Sequence, residues 1–563
     1  MGGIEWIRSR NDLDNYIDVP PSVLTYLLFI KKTENLYTTF EIPKKNGENR
    51  IICAPNYELK SVQKKLMLAL LSYVQEIREK EGIRVNIAHG FEKKKGIITN
   101  AAAHRNKRFV LNLDLNDFFD SFHFGRVVGY FEKNRYFRFS HEVAVTIAQL
   151  VCYNGKLPQG APTSPIITNL ICQPMDYHIL NLAKKYKLDY TRYADDITFS
   201  TNNHLFLNDY DRFMGELSEE IQDMGFSINT AKTRLLYRDS RQEVTGLVVN
   251  KRISAPSKFY RETRAMAHKL YTTGNFNIGG IPATINQLEG RFSFIDQVEH
   301  YNNKHDNQKH LANTLNGRER QYQAFIFYKY FFANEKPIIL TEGKTDVLYI
   351  KAALMHMYLN YPNLISRSED GKFTFHISFL KRSDRLQYFF NIQSDGADTF
   401  KYLYYCFCNQ NNDAAPNYLE YFTRLTGEAP KNPTIFLFDN ELSNKSKNAK
   451  PLQKFCKAIG LRDSKKNELQ SNYYIQLVEQ SKLFLLTNPL AADKTESEIE
   501  DLFTEETLSH EIRGRTFSRD DKVDRSKYYG KNEFSKYVFS NYHAIDFSGF
   551  KPLLDALSKI VST

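Results

Sequence analysis

The chain has 563 residues, 42% of them hydrophobic and 25% charged, enough for about two to four domains with cores of their own and too apolar for a disordered protein. Its net charge of +11 is uneven: residues 1–320 hold 44 Lys and Arg against 35 Asp and Glu and the remainder 32 against 30, so the basic excess falls where a polyanion would be handled. The six cysteines form no CxxC pair, which excludes a disulfide framework and a structural zinc site and suits a reducing cytoplasm.

The opening MGGIEWIRSRND carries acidic residues where a secretory signal needs an apolar core, and the longest apolar runs, around 23–30 and 66–74, fall short of the roughly 20 residues of a membrane span. A soluble cytoplasmic protein without a membrane partner is expected. Residues 60–79 have helical period, 108–115 (RFVLNLDL) read as a buried strand, and 141–152 as a second helix. In 207–224, Phe213, Leu217, Ile221 and Met224 share one helix face that Gly225 ends. Residues 243–253 read as strands, and 257–330 as polar, basic and helical. At Pro337 the character changes: KPIIL is a short strand, TEGKTD a turn and VLYIKAALMHMYL a helix. That is a βα unit starting afresh, so a domain boundary is expected near 325–335. KYLYYCFCNQ (401–410) reads as a strand with Cys406 and Cys408 in its core rather than as a metal site.

Two segments carry chemistry. YTRYADDITFS (190–200) sets Asp195 and Asp196 side by side at a hairpin tip, and LNLDLNDFFDSF (111–122) carries Asp114 at a strand end. Adjacent carboxylates repel unless a cation lies between them and a third partner. Mg²⁺ suits that role, because it prefers oxygen ligands and a pair of such ions activates a 3′-hydroxyl and stabilises a leaving pyrophosphate. The dipeptide alone also fits a solvated turn.

The company it keeps is more specific. FEIPKKNGENRIICAPNYELKSVQ (40–63), LNLDLNDFFDSF, LPQGAPTSPIITNL (157–170), YADD and GFSINTAKT (225–233) resemble, in order, the fingers and palm blocks of reverse transcriptases. NAAAH (100–104) and VTG (244–246) narrow the resemblance to the retron reverse transcriptases. It covers roughly residues 20–320 and implies a right-hand polymerase: fingers and palm over 1–250, a thumb and RNA-binding region over 251–325. Asp114, Asp195 and Asp196 would ligate two Mg²⁺ ions, and Lys232 would protonate the leaving pyrophosphate. Lys44 or Lys45 with Arg50 would hold the triphosphate, Phe119 would exclude a ribose 2′-hydroxyl, and Gln159 and Gly160 would lie against the incoming dNTP. Asn100, His104 and Thr245 would handle RNA, although buried caps or turns fit them equally well. The resemblance also implies the partner, a cognate structured non-coding RNA primed from a guanosine 2′-hydroxyl, and the product, a branched RNA–DNA.

The second constellation lies beyond residue 335. Glu342 lies in the strand-to-helix turn of KPIILTEGKTDVLYI, with Asp346 beyond it, and NPTIFLFDNEL (432–442) is a buried strand ending in Asp439 and Glu441. Carboxylates at two strand ends suit a Mg²⁺- or Mn²⁺-dependent phosphodiester site at the edge of a parallel sheet. The pair resembles the TOPRIM fold of OLD-type nucleases, with Glu441 in place of the usual Asp, and places such an α/β domain over 335–563. ESEIEDLF (496–503) resembles the acidic block of that family, with Glu498, Glu500 and Asp501 as candidates, and equally fits a solvated helix start. The fold class expected is thus α/β and α+β multidomain, a polymerase followed by a TOPRIM-like domain with a role in defence against phage. Homo-oligomers are common among OLD-type relatives. An intron- or mobile-element-type enzyme, and a C-terminal half that only binds nucleic acid, are the competing readings.

Overall fold

A computed structural model describes residues 4–43, 47, 49–83, 87–306, 311–392, 400–408, 415–442, 450–479, 481–490, 494–520 and 523–563. It divides into two compact units, Met1–Ser257 and Lys258–Thr563. Lys44 and Lys45 lie outside the described residues.

The first unit opens with short helices α1 (Arg10–Tyr16) and α2 (Pro21–Thr25) and a two-stranded ribbon, β1 (Tyr37–Pro43) paired antiparallel with β2 (Asn49–Pro55). Helices α3 (Tyr57–Lys80) and α4 (Ile97–Ala103) lead into β3 (Phe109–Asp114), a strand buried along most of its length. Then come α5 (Phe124–Lys133), α6 (His141–Val151) and α7 (Ser164–Lys185), the hairpin β4 (Asp189–Tyr193) and β5 (Asp196–Thr201), α8 (Phe206–Asp223), β6 (Arg234–Tyr237) and a small hairpin, β7 (Glu243–Val244) with β8 (Leu247–Val248). The central sheet has the order β4-β5-β3-β6 and is antiparallel throughout. Its apolar face packs on helices: Phe213, Leu217 and Ile221 of α8 are fully buried, as their i, i+4 spacing requires. Each strand therefore delivers its end, and the polar side chain it carries, to a fixed height.

The second unit begins with α9 (Ser257–Thr273), a short hairpin β9 (Asn277–Ile278) and β10 (Ile281–Pro282), α10 (Ile285–His305) and α11 (Gly317–Phe327). These share one hydrophobic core with strands between Ile338 and Leu485. The expected boundary near 325–335 therefore marks the start of a βα unit inside one compact body. Polar ties explain the continuity: Arg385 pairs with Asp296 at 3.0 Å, Tyr388 donates to Glu319 at 2.6 Å, and Gln323 donates to the Phe389 carbonyl at 2.6 Å. Onward lie β11 (Ile338–Thr341), α12 (Asp346–His356), β12 (Ile365–Arg367), β13 (Phe373–Phe375), β14 (Ser378–Phe379), α13 (Asp384–Phe390), α14 (Phe400–Cys408), α15 (Tyr418–Thr426), β15 (Thr434–Phe438), β16 (Tyr474–Val478) and β17 (Leu483–Thr487). The sheet order is β14-β11-β15-β17-β16, parallel except for β16.

One expectation is corrected here. Residues 400–408 form a helix, not a strand; seven of the nine are buried, and Cys406 is fully enclosed among aromatic rings. The Tyr- and Phe-rich composition raises strand propensity, but burial on nearly every side outweighs intrinsic preference. Among the described residues no helix is long and apolar enough to cross a membrane.

Candidate active sites

The antiparallel register sets Asp114, the last residue of β3, directly opposite Asp196, the first of β5. Ala194 and Asp195 make the two-residue turn between β4 and β5, with Ala194 in the left-handed region at φ +57°. That conformation is uncommon for a residue with a β-carbon, and the surroundings hold it. Arg192, 1% exposed, lies under the turn: its Nε and Nη2 donate to the two carboxylate oxygens of Asp176 at 2.7 Å each, and Nη1 reaches the Ala194 carbonyl at 3.2 Å. Tyr190 donates to the same Asp176 carboxylate at 2.8 Å. From the other side, the amide of His89 donates to the Arg192 carbonyl, and Gly90 passes so close that a β-carbon there would stand 2.7 Å from the Ala194 nitrogen. The acidic tip thus sits on a buried, fork-shaped ion pair. None of Asp176, Arg192 or Gly90 was singled out in the sequence; the one signal was an arginine among the aromatic and β-branched residues of YTRYADDITFS.

The segment after α8 runs back along the end of β3, where the Asn116 amide donates to the Ser227 carbonyl and the Asn229 amide to the Asp114 carbonyl. This carries Lys232 to Asp114, Nζ to Oδ2 at 2.8 Å. Arg50, exposed on β2, acts on the same cluster, since its charge, with that of Lys232, offsets part of the upward push on Asp195. Loss of water is the main cause of that push, with the Asp114 charge adding to it. Asp196 is exposed at the tip, yet limited hydration on its inner side and the charges of Asp195 and Asp114 raise its carboxyl to about 7. A carboxylate set this reluctant to carry its full charge is electrostatically short of a cation, and Lys232 supplies only one. Asp114, Asp195 and Asp196 therefore fit Mg²⁺, which would there activate a hydroxyl and neutralise phosphate oxygens.

The loop Leu157–Ala161 reaches β2: the Cys53 amide donates to the Gln159 carbonyl at 2.7 Å, and Gly160 takes φ +125° with room for no side chain, since a β-carbon would meet the Cys53 oxygen at 2.8 Å. Phe119 lies in the turn after β3, half-buried and edge-on to Phe118 at 5.5 Å.

The residues expected to handle RNA lie deeper. His104 is fully buried, its Nδ1 2.7 Å from the Ser200 hydroxyl and its Nε2 2.7 Å from the Thr191 hydroxyl. Burial drives its pKa down to about 3, so the ring is neutral and bridges β4 to β5. In that position it touches no solvent and ties the two strands of the hairpin together. Asn100 is likewise fully buried, with neither side-chain atom hydrogen-bonded. Thr245 and Gly246 both have positive φ and form the tight turn between β7 and β8, as a primed hairpin requires. The Thr245 hydroxyl donates to the Ile97 carbonyl of α4 at 3.3 Å, so the NAAAH and VTG elements are structural neighbours.

The second cluster lies at the carboxyl edge of the parallel sheet. Thr341 pairs with Leu437, so the ends of β11 and β15 are adjacent and present Glu342 and the Asp439–Glu441 element side by side. Residues 496–501 join them through a two-way backbone bridge, Asn440 to Ser497, at 2.9 Å in each direction. Asp346 accepts the Gly343 amide at 2.9 Å, and Asp439 accepts the Asn488 amide group at 2.7 Å. Burial is the leading cause of the upward pKa shifts at Glu342, Asp346, Asp439, Glu441 and Glu500, and mutual repulsion adds to it at Glu342, which reaches about 8. Glu342 Oε1, Glu441 Oε2 and Glu500 Oε1 are buried without hydrogen-bond partners. Such orphaned oxygens fit a divalent cation. The sequence did not single out the cations already present: Lys450 pairs with Glu441 at 3.4 Å, Lys531 with Glu498 and Glu500 at 3.1 Å, and Asp501 with Lys494 at 2.7 Å and Arg519 at 2.8 Å. At Asp501 burial pushes the carboxyl up, but these bonds and the Glu498 amide hold it below the usual range. Among the described residues no three His, Cys, Asp or Glu side chains already close around one point, so metal binding at either cluster calls for side-chain rotation on a fixed backbone frame.

Comparison with known proteins bears on the first cluster. The family model for reverse transcriptase (RNA-dependent DNA polymerase) matches residues 42–259, which include every residue of that cluster. The chain is 32% identical over 287 residues to the retron Mx65 reverse transcriptase of Myxococcus xanthus, covering 47% of this chain and 64% of that one. It is 33% identical over 281 residues to the retron Ec86 reverse transcriptase of Escherichia coli, covering 49% and 81%, and 31% identical over 327 residues to the retron Mx162 reverse transcriptase of Myxococcus xanthus, covering 53% and 65%. The match thus spans just under two thirds of the two Myxococcus relatives and about half of this chain. Through its reverse transcriptase domain, the chain belongs to the retron reverse transcriptases.

Proposed function

We propose that this protein copies a cognate structured RNA into a branched, RNA-linked single-stranded DNA by Mg²⁺-dependent nucleotidyl transfer from dNTPs. The observation that carries the reading is the convergence of Asp114, Asp195 and Asp196 at the paired ends of β3 and β5, with Lys232 on Asp114. Arg50 and the Gln159–Gly160 loop against β2 suit the triphosphate side, and Phe119 suits the sugar side. The retron relatives favour this reading over an intron-type enzyme.

The second cluster is proposed as a TOPRIM-type metal-dependent phosphodiesterase, held in check by the branched product and released in defence against phage. Its support is the strand-end placement of Glu342 and Asp439 and their orphaned, proton-retaining neighbours. A specific observation favours a second reading, a nucleic-acid-binding scaffold without catalysis: Lys450, Lys531, Arg519 and Lys494 already pair with carboxylates of this cluster.

The test is to purify the protein from its native host, sequence the nucleic acid that accompanies it and treat it with a 2′,5′-debranching enzyme. RNA-linked DNA that shifts on debranching is expected from the wild type and none from D195N, whose synthesis should drop at least the roughly 100-fold that loss of even an outer partner of a metal site can cost. Wild-type protein free of such DNA would overturn the retron reading.

A further inference from the structure

A cavity of about 310 Å³ in the second unit, whose lining includes no residue of either carboxylate cluster, is formed by Arg261, Arg264, His268, Tyr271, Gln321 and Tyr421. Arg261, Arg264 and His268 follow i, i+3, i+7 on α9 and so share one face of that helix. No carboxylate lines the cavity, and neither guanidinium has an ion-pair partner among the described residues. Two exposed guanidiniums side by side without an acid repel each other, and the ligand that relieves this is an anion with several oxygens; the planar fork suits phosphate.

The remaining walls are not those of a simple anion site. Tyr271 is buried and immobilised between Phe422 at 4.9 Å and Tyr328 at 4.6 Å, making a rigid floor. Tyr421, on α15, is 42% exposed beside it, an aromatic face that the chain leaves uncovered. Gln321, on α11, brings an amide that both donates and accepts. Unpaired guanidiniums, an open aromatic face and an amide within a cavity of this size match a phosphate, a base and the hydrogen-bonding edge of that base.

We infer that this cavity binds a phosphorylated nucleoside, its phosphate on Arg261 and Arg264, its base against Tyr421 and the base edge at Gln321. The nucleoside is either a free nucleotide or one unit turned out of a single strand. Because α15 leads into β15, which ends immediately before Asp439, occupancy would be felt in the same compact unit as the second carboxylate cluster. The inference stands on the cavity alone and does not depend on either proposed activity.

The experiment uses the full-length protein, stripped of nucleic acid and held in chelator so that neither carboxylate cluster takes up metal, with AMP, an eight-nucleotide single strand and inorganic phosphate as separate probes in calorimetry or anisotropy. R261Q/R264Q and, separately, Y421A are expected to weaken binding of AMP, of the strand, or of both by tenfold or more, while Y421A leaves phosphate binding unchanged. Loss confined to the strand identifies a nucleotide unit of nucleic acid as occupant; loss with AMP identifies a free nucleotide. All three residues are exposed, so unchanged thermal unfolding is expected and is checked for each variant. The inference is overturned if both variants bind every probe as the wild type does, or if only the arginine variant differs, which would make α9 a plain phosphate track.

Discussion

Asp196 shows how a single residue reports on its site. Its folded pKa of about 7 lies above the value near 4 of an unfolded aspartate, so between those values the folded chain holds an extra proton. The cost of its charge is therefore absent below about pH 4, grows as pH rises, and is complete above about pH 7. D196N should raise the melting temperature at pH 8 in metal-free buffer by about 1–3 °C, with the gain fading toward pH 4. Millimolar Mg²⁺ should stabilise the wild type at pH 8 by more than it stabilises the variant; a wild-type melting curve indifferent to both pH and Mg²⁺ would contradict a cation deficit at the hairpin tip. DNA synthesis should likewise fall as pH drops below 7, because protons then compete with the metal. Glu342, raised to about 8 by burial and by Glu441 and Asp346, should make any metal binding at the second cluster steeper still in pH.

At the scale of elements, the hairpin that carries Asp195 and Asp196 is held by parts distant in sequence. His104 bridges Thr191 on β4 to Ser200 on β5, and H104A leaves two buried hydroxyls without that partner. Urea unfolding should show a loss of about 2–4 kcal/mol. If His104 also positions the hairpin, H104N, which retains polar atoms, should recover stability better than DNA synthesis, and the Mg²⁺ needed for half-maximal rate should rise. Equal recovery of both would mean a structural role alone. Gly160 offers a cleaner case. An alanine there meets the Cys53 carbonyl and an unfavourable φ at once, so G160A should separate the Leu157–Ala161 loop from β2 and raise the KM for dNTP several-fold, with kcat less affected. Asp114, YADD and Lys232 were legible because each is a polar residue set at the end of an apolar strand or beside a recognisable block. The ion pair of Arg192 with Asp176 was not, because 16 positions and a helix end separate partners whose meeting depends on how α7 packs against β4.

At the scale of the whole molecule, the division after Ser257 has a practical consequence. Phe325, Phe327 and Phe331 share a core with Phe389, Phe407 and Phe422, so a fragment that starts at residue 335 loses one side of that contact. Residues 258–563 expressed alone should melt cooperatively, whereas 335–563 should bind a hydrophobic dye and aggregate; equal behaviour of the two fragments would argue for a boundary near 325–335 after all. The two carboxylate clusters belong to different units, so their chemistry should separate. E342Q should abolish toxicity or nucleic-acid cleavage and spare DNA synthesis, whereas D195N should abolish synthesis and, under the proposed restraint by the product, leave cleavage unchecked. Cleavage that survives E342Q would leave the scaffold reading of the second cluster.

The sequence by itself determined the chemistry that needs only residue type, order and local period: the acidic hairpin tip, the buried strands, the helix expected over 207–224 and found at Phe206–Asp223, and the strand-to-turn positions of Glu342 and Asp439. The blocks that mark the reverse transcriptase lie in that category as far as their residue types and order go. Tertiary structure alone decided three things: that His104 is a neutral strap within the palm sheet, that 400–408 is a helix, and that the region expected to be a thumb shares a core with the sheet built on β11 and β15. In each, the outcome depends on which side chains lose water together. That is a property of packing between segments far apart in the chain, which no local pattern encodes.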